Sequence, residues 1–292
     1  SLEEAVVHAD EENAVFDVAV PASAVPQIIR ALPDEAGALI QKPMGENLEE
    51  ARLIRDICRQ KKLAAAINFQ LRFAPNNAGA RSLIEQGAVG DLHDVEINVN
   101  VHTPWHLWAW LAEIPRVEIV YHSIHYIDLI RSFLGDPVGV YAKTTKHPSA
   151  LHMEATRSSI ILDYGDRVRA GVTTNHGHDF SDKHQWSYVK WEGTRGAIRA
   201  QIGVVMDYPA GKPDELEYCT MGEGEERRWI SVRPEGNWYP DAFVGTMASL
   251  QCFLDGSSNE LPTSIEDAFH TMAVVEAAYE SSALGGVKPQ FD

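Results

Sequence analysis

The segment from Val15 to Ile40 constrains the fold more than any other. It opens with VFDVAV at 15–20, a short apolar run that Pro21 ends, and such a run reads as a buried strand. From Ala24 to Leu32 the apolar residues Val25, Ile28, Ile29 and Leu32 fall at helical spacing, and Ala36 to Ile40 is a second short apolar run. Strand, helix and strand in so few residues predict a right-handed βαβ unit of a parallel sheet. Asn47 then caps a helix running to about Lys61, with Leu48, Ala51, Ile54 and Ile57 or Cys58 on its buried face, and Leu63 to Phe69 is a further strand. This is half of a doubly wound sheet, a fold that holds ligands at the carboxyl ends of its strands. Ser1-Leu2-Glu3-Glu4 reads as a helix cap with acids in the first turn. The chain thus enters a repeating α/β pattern at a helix, and a strand is expected upstream.

From Pro75 the pattern changes. A helix to about Gln86 precedes alternating sequence at 95–102, an aromatic loop TPWHLWAWL, and a helix over about 118–134 that Gly135-Asp136-Pro137 stops. Segments of period two follow at 138–145, 156–164, 167–175, 185–192, 196–201, 203–207, 216–220 and 228–232, with Asp163-Tyr164-Gly165-Asp166 as a hairpin turn. Two helices close the chain, at about 240–255 and at 264–284, the second capped by Ser264 and stopped by Gly285-Gly286. The expected fold is therefore α/β plus α+β: a partial parallel sheet over 1–74, then a domain over 75–292 with a large, mostly antiparallel sheet and flanking helices. A sheet covered on only one side leaves an apolar face, which predicts a homodimer or homotetramer packed through 138–232.

Net charge excludes one class of partner. At −17, with only short basic pairs such as Lys61-Lys62 and Arg227-Arg228, the chain lacks the basic stripe that nucleic acid requires. No apolar run is long enough to span a bilayer. The three cysteines, Cys58, Cys219 and Cys252, form no C-x-x-C and read as reduced thiols of a cytoplasmic protein.

Several residue groups could carry chemistry. Gln41-Lys42-Pro43 follows a buried strand, so Lys42 projects toward the ligand edge, where desolvation would lower its pKa and ready it for proton transfer; a surface lysine at a strand end has the same pattern. Tyr121 and His125 stand four apart on a helix, with Asp128 one turn on and His122 close enough to His125 to share a metal; a core helix with a structural histidine fits equally. Asn68, Gln70 and Arg72 alternate as the chain leaves a strand and could bind hydroxyls or a carboxylate, or cap the next helix. Trp105, Trp108 and Trp110 with His106 could stack on a sugar ring, or form a packed lid or a subunit contact. His176, His178 and His184 with Asp179 have metal-like spacing, but nothing else supports zinc and no metal is expected.

Taken in order, these segments resemble the Gfo/Idh/MocA oxidoreductases. AVPASAV at 19–25 is similar to that family's A-T-P loop, IQKP at 40–43 to its E-K-P, and INFQLRFAP at 67–75 to its strand ending in N-x-R-F. IEQGAVGDLHDVEINV resembles the family's entry to the large sheet, HSIHYIDLIRSFLGDP its G-x-H-x-x-D helix, and SIEDAFHTMAVVEAAYESSALGG its closing helix. The resemblance implies a Rossmann domain holding NAD or NADP, with Val20, Pro21, Gln41 and Lys42 at the cofactor. It implies Lys42 and His125 as catalytic groups, with Tyr121 standing where many members have an aspartate. Gln70, Arg72, Trp105 and His122 would line the substrate. Gln41 replaces the usual glutamate, and the family's first strand with its G-x-G-x-x-G loop is not in these residues, so it is expected upstream. The expected activity is hydride transfer between a nicotinamide dinucleotide and a sugar or polyol. A non-catalytic sugar sensor is the alternative, and a lyase or isomerase using the histidines a third.

Overall fold

The computed structural model describes residues 2–12, 14–221 and 226–291. The cap expected of Ser1 lies outside them. Helix α1 (Leu2–Glu12) leads to β1 (Val15–Val18), and a 3₁₀ turn at Ala22–Ala24 runs into α2 (Val25–Ala31). Then come β2 (Gly37–Ile40), α3 (Leu48–Lys61) and β3 (Ala64–Ile67). The three strands pair in parallel in the order β1-β2-β3. All of β2 is buried, as a continuous apolar run requires of a central parallel strand. Asn47 caps α3 as expected, its side chain accepting from the Glu50 N–H at 3.0 Å, and Lys62 ends the helix in the left-handed conformation.

The second part begins with α4 (Pro75–Glu85) and β4 (Leu92–Asn100). A kinked 3₁₀ segment, Trp105–Ala112, carries the tryptophans. The single helix expected over 118–134 is two pieces: a π turn at Ile119–Ser123, then α5 (Ile124–Leu134). Strands β5 (Gly139–Thr145), β6 (Arg157–Asp163), β7 (Arg169–Asn175), β8 (Trp186–Gly193), β9 (Gly196–Gln201), β10 (Glu215–Thr220) and β11 (Ile230–Val232) complete an eight-stranded sheet ordered β11-β10-β9-β8-β4-β7-β6-β5. Only β4 and β7 pair in parallel. The strand expected at 203–207 is a 3₁₀ turn, Gly203–Val205. There the Gly203 N–H donates to Asp214 and a Cβ would meet the Lys212 carbonyl oxygen, so the chain turns too closely on itself to pair.

Helices α6 (Ala242–Leu254) and α7 (Ile265–Leu284) return to the first sheet. Leu250 of α6 is buried with Leu39 and Ala66, and the Ile67 N–H donates to the Thr263 carbonyl at 2.8 Å. One face of the large sheet carries the core, with Val95, Ile97, Val99, Val172 and Val189 buried.

The opposite face is not the apolar surface expected from the sequence. Arg169 bridges Asp94 at 2.5 Å and Glu96 at 3.3 Å, Tyr188 donates to Glu96 at 2.7 Å, and the Trp186 indole donates to Asn98 at 2.7 Å. Alternation placed polar residues outward along β4 and β8, leaving Tyr141 and Ile161 as exposed apolar side chains near the β5 edge.

Candidate active site

A cavity of about 540 Å³ opens beside the carboxyl end of β2. Lys42, the second residue after that strand, lines it, and its Nζ donates to the Tyr121 carbonyl oxygen at 2.7 Å. Burial lowers its pKa to about 8, because an ammonium out of water loses hydration that the neutral amine does not need. Val20, Pro21 and Gln41 follow β1 and β2 at the same edge of the parallel sheet. None of these three lines the cavity.

His122 and His125 enter the cavity from the π turn and from α5. Both imidazoles are held neutral, far below the ordinary histidine range: burial is the main cause, and Lys42 adds to it for each. His125 Nδ1 and His122 Nε2 are buried without hydrogen-bond partners. The two rings are set apart by their neighbours. His125 packs edge-on to Phe69 and Trp238, whereas His122 lies against Trp105 and His176. Tyr121 lines the same cavity, but its phenol also borders a second one of about 310 Å³ with Glu46, Asn47 and Arg116. Burial, then the Glu46 and Glu50 carboxylates, push the phenol up to about 12. The π turn thus gives Tyr121 acidic neighbours that the simple helical spacing did not suggest.

Gln70 lines the cavity, and its buried Oε1 has no partner. Asn68 does not line it; its Oδ1 accepts from Thr246 at 2.9 Å. Arg72 also turns away, which corrects its expected place at the substrate. Its Nε and Nη2 donate to both Asp128 oxygens at 2.6 Å, Nη2 also reaches Asp267 at 2.5 Å, and Nη1 donates to the Pro262 carbonyl at 2.7 Å. Burial works against this charge, but Asp128 and Asp267 outweigh it and raise the guanidinium's pKa. Arg72 is therefore part of the join between 69–73, α5 and α7, and Asp128 faces that join instead of His125.

Trp105 stands behind the cavity wall, against His122 and His176, and the exposed His106 is not at the wall; Trp108 and Trp110 line it instead. The four-residue histidine–aspartate group is dispersed. His176 is buried and turned inward to Thr103 and Glu118, while His178 lies beside the Lys183 carbonyl and the exposed Phe180. Among the described residues no group of three or more His, Cys, Asp or Glu is arranged to hold a metal.

Sequence reasoning missed Tyr208, Trp238 and Tyr239, which complete an aromatic wall. Their segments come to the cavity because the buried Asp214 accepts from the backbone N–H of both Gly203 and Trp238, each at 2.6 Å. It also missed Glu118, although a lone acid among Val117, Ile119 and Val120 was the available signal. A buried carboxylate there needs a partner.

Residues 78–199 match the family model of the GFO/IDH/MocA C-terminal domain. The chain is 23% identical over 256 residues to D-apiose dehydrogenase of Rhizobium rhizogenes, covering 85% of this chain and 70% of that protein. It is 24% identical over 262 residues to 1,5-anhydro-D-fructose reductase of Ensifer adhaerens, covering 89% and 74%. Among solved structures, an oxidoreductase from Agrobacterium radiobacter in complex with NAD+, L-tartaric acid and magnesium superposes with a TM-score of 0.75 at 21% identity, covering 92% of this chain and 78% of that one. Residues 78–199 thus match the GFO/IDH/MocA C-terminal domain, and the chain as a whole shares the fold of that solved oxidoreductase.

Proposed function

We propose that the chain belongs to an NAD(P)-dependent oxidoreductase that acts on a neutral sugar or polyol. The observation that carries this reading is a desolvated lysine, Lys42, at the carboxyl end of a parallel strand, sharing an aromatic cavity with the neutral imidazole of His125. The relatives named above act on sugars or related compounds by their names, and one structural neighbour holds NAD+.

The residues present fit one end of the dinucleotide. Val20, Pro21 and Gln41, at the carboxyl edge after β1 and β2, would hold the dinucleotide beside the cavity that Lys42 lines, and the orphaned Gln70 Oε1 would offer it an acceptor. Among the described residues no glycine-rich turn from strand to helix is available for the pyrophosphate. When bound, the dinucleotide supplies the hydride acceptor or donor. Lys42 in its neutral form takes the proton of the reacting hydroxyl, and in its charged form returns it. His125, held neutral beside Lys42, accepts from or donates to that same hydroxyl and orients it. Trp108, Trp110, Tyr208, Trp238 and Tyr239 exclude water and offer faces to the C–H side of a ring.

The lining supports a neutral substrate. Among the described residues Lys42 is the one lysine or arginine on the cavity wall, and Arg72, the expected carboxylate binder, is committed to Asp128 and Asp267. The test is turnover by the full-length product of the gene that encodes this chain. D-Apiose, 1,5-anhydro-D-fructose and simple polyols are offered with NAD(H) and NADP(H), and the absorbance of the reduced nicotinamide is followed. Dinucleotide-dependent turnover of a neutral sugar or polyol is expected. Sugar binding with no turnover under either cofactor would replace this reading with a sugar sensor.

A further inference from the structure

Glu118 is 1% exposed and sits among Val117, Ile119 and Val120, which are as deeply buried. Ser123 donates to its Oε1 at 2.6 Å, and His176 Nε2 lies 3.4 Å from the same oxygen, within ion-pair range. Burial alone would raise the pKa of this carboxyl, but His176 and the hydroxyls of Ser123 and Ser158 more than reverse the effect and hold it below the ordinary glutamate value. An ionised carboxylate can only accept, so it favours the tautomer with hydrogen on His176 Nε2, although at 3.4 Å the two make an ion-pair contact and no hydrogen bond. The Thr103 hydroxyl stands 2.9 Å from the other ring nitrogen, Nδ1, which accepts from it when the ring's single hydrogen is on Nε2.

The ring cannot easily turn away. His176 is 5% exposed, packed at a tilt of 34° against His122 with centroids 4.8 Å apart and edge-on to Trp105 at 5.6 Å. The backbone beside it is fixed as well: the Thr103 N–H donates to the His176 carbonyl at 3.0 Å, and His102 bridges Gly177. Thr103 and His176 both line the cavity. In that tautomer the Thr103 proton is directed to Nδ1, and Oγ1 keeps its lone pairs for an incoming donor.

We propose that Thr103, His176 and Glu118 form a hydroxyl–imidazole–carboxylate chain that gives the cavity a second binding position for a substrate hydroxyl, distinct from the one served by Lys42. Thr103 Oγ1 touches the substrate, and His176 and Glu118 are positioning residues behind it. The inference rests on the reading of the cavity as a sugar or polyol site, and it adds a specificity. The position accepts from a hydroxyl and rejects a carbonyl or ether oxygen there, because two acceptors would face each other.

The test uses the full-length protein with D-apiose, 1,5-anhydro-D-fructose and myo-inositol as probes, with binding followed by tryptophan fluorescence. Thr103→Val should weaken the probes that bind by about 10-fold, the worth of one hydrogen bond, and Thr103→Ser should restore the affinity. Nitrogen-15 NMR of the histidine rings should show His176 with hydrogen on Nε2, and Glu118→Gln should release it to both tautomers. A structural role alone would leave affinity unmoved in Thr103→Val. That result, an Nδ1–H tautomer at His176, or no binding of any probe by the unmodified protein would overturn the proposal. Polyol binding without dinucleotide-dependent turnover would instead refute the oxidoreductase reading and leave this site standing.

Discussion

Lys42 and Arg72 are both cations withdrawn from water near one cavity, yet their partners give them opposite uses. Lys42 has a carbonyl for a partner and no carboxylate, so burial lowers its pKa from 10.5 to about 8. Between those two values the unfolded chain binds more protons than the folded one, so this group's contribution to stability rises with pH across that window and is lost as pH falls to about 8. Lys42→Met removes the desolvation cost. At neutral pH it should raise stability by an amount on the order of 1–3 kcal/mol while lowering kcat by roughly 10²–10⁴-fold. Calorimetry and steady-state kinetics on the same preparation check both, and a loss of stability with normal turnover would mark Lys42 as structural. For polyol oxidation, kcat/KM should rise with pH through about 8, and that limb should disappear in Lys42→Met. Arg72→Ala should do the reverse. Leaving Asp128 buried without its partner should cost about 3–5 kcal/mol in denaturant unfolding, with polyol affinity in the surviving folded protein little changed.

At the level of elements, the cavity is made where regular structure is interrupted. The π turn at Ile119–Ser123 sets Tyr121 toward Glu46 and Glu50, and the 3₁₀ turn at Gly203–Val205 replaces a strand and brings Val204 and Val205 to the wall. Asp214 holds that turn to the segment of Trp238 through two backbone N–H groups. Asp214→Ala would leave both donors orphaned, at about 1–3 kcal/mol each, and free Trp238 from its place against His125. Reduced thermal stability together with weaker polyol binding is expected. A variant that is destabilised but binds normally would show that the clamp serves the fold alone. Periodicity located the helix over 118–134 and most of the strands, because both patterns report burial along one element. It did not show the π turn, the 3₁₀ turn or the Asp214 clamp, since each depends on what the backbone meets from elsewhere in the chain.

Across the whole molecule, the first and last segments form one unit. Leu39 and Ala66 of the parallel sheet are covered by Leu250 of α6, and Arg59 pairs with Glu266 of α7 at 2.6 Å. The division at residue 74 is therefore proposed as one of sequence order, and a fragment of residues 1–74 should be unfolded by circular dichroism for want of α6 and α7. A folded fragment would refute this. We also propose that two copies pair through the uncovered face of the large sheet. Because that face carries Arg169, Asp94, Glu96 and Lys190, association would rest on charge complementarity more than on apolar burial. Light scattering should then show a dimer at low ionic strength that dissociates as salt is raised. A monomer under all conditions would exclude the interface.

The sequence by itself determined the order and type of most of the elements, the two-sheet plan, the position of Lys42 at a strand end and the helical stretch bearing His122 and His125. These depend on residue spacing and on turn and cap chemistry, which are local and survive in a single chain read alone. Only the tertiary structure decided which polar groups meet. It tied Arg72 to Asp128 and Asp267, separated His176 from His178, paired it with Glu118 and Thr103, and brought Tyr208, Trp238 and Tyr239 to the cavity. Such pairings join residues far apart in sequence, and the cost of burying an unpaired charge makes them specific. Periodicity carries no record of them.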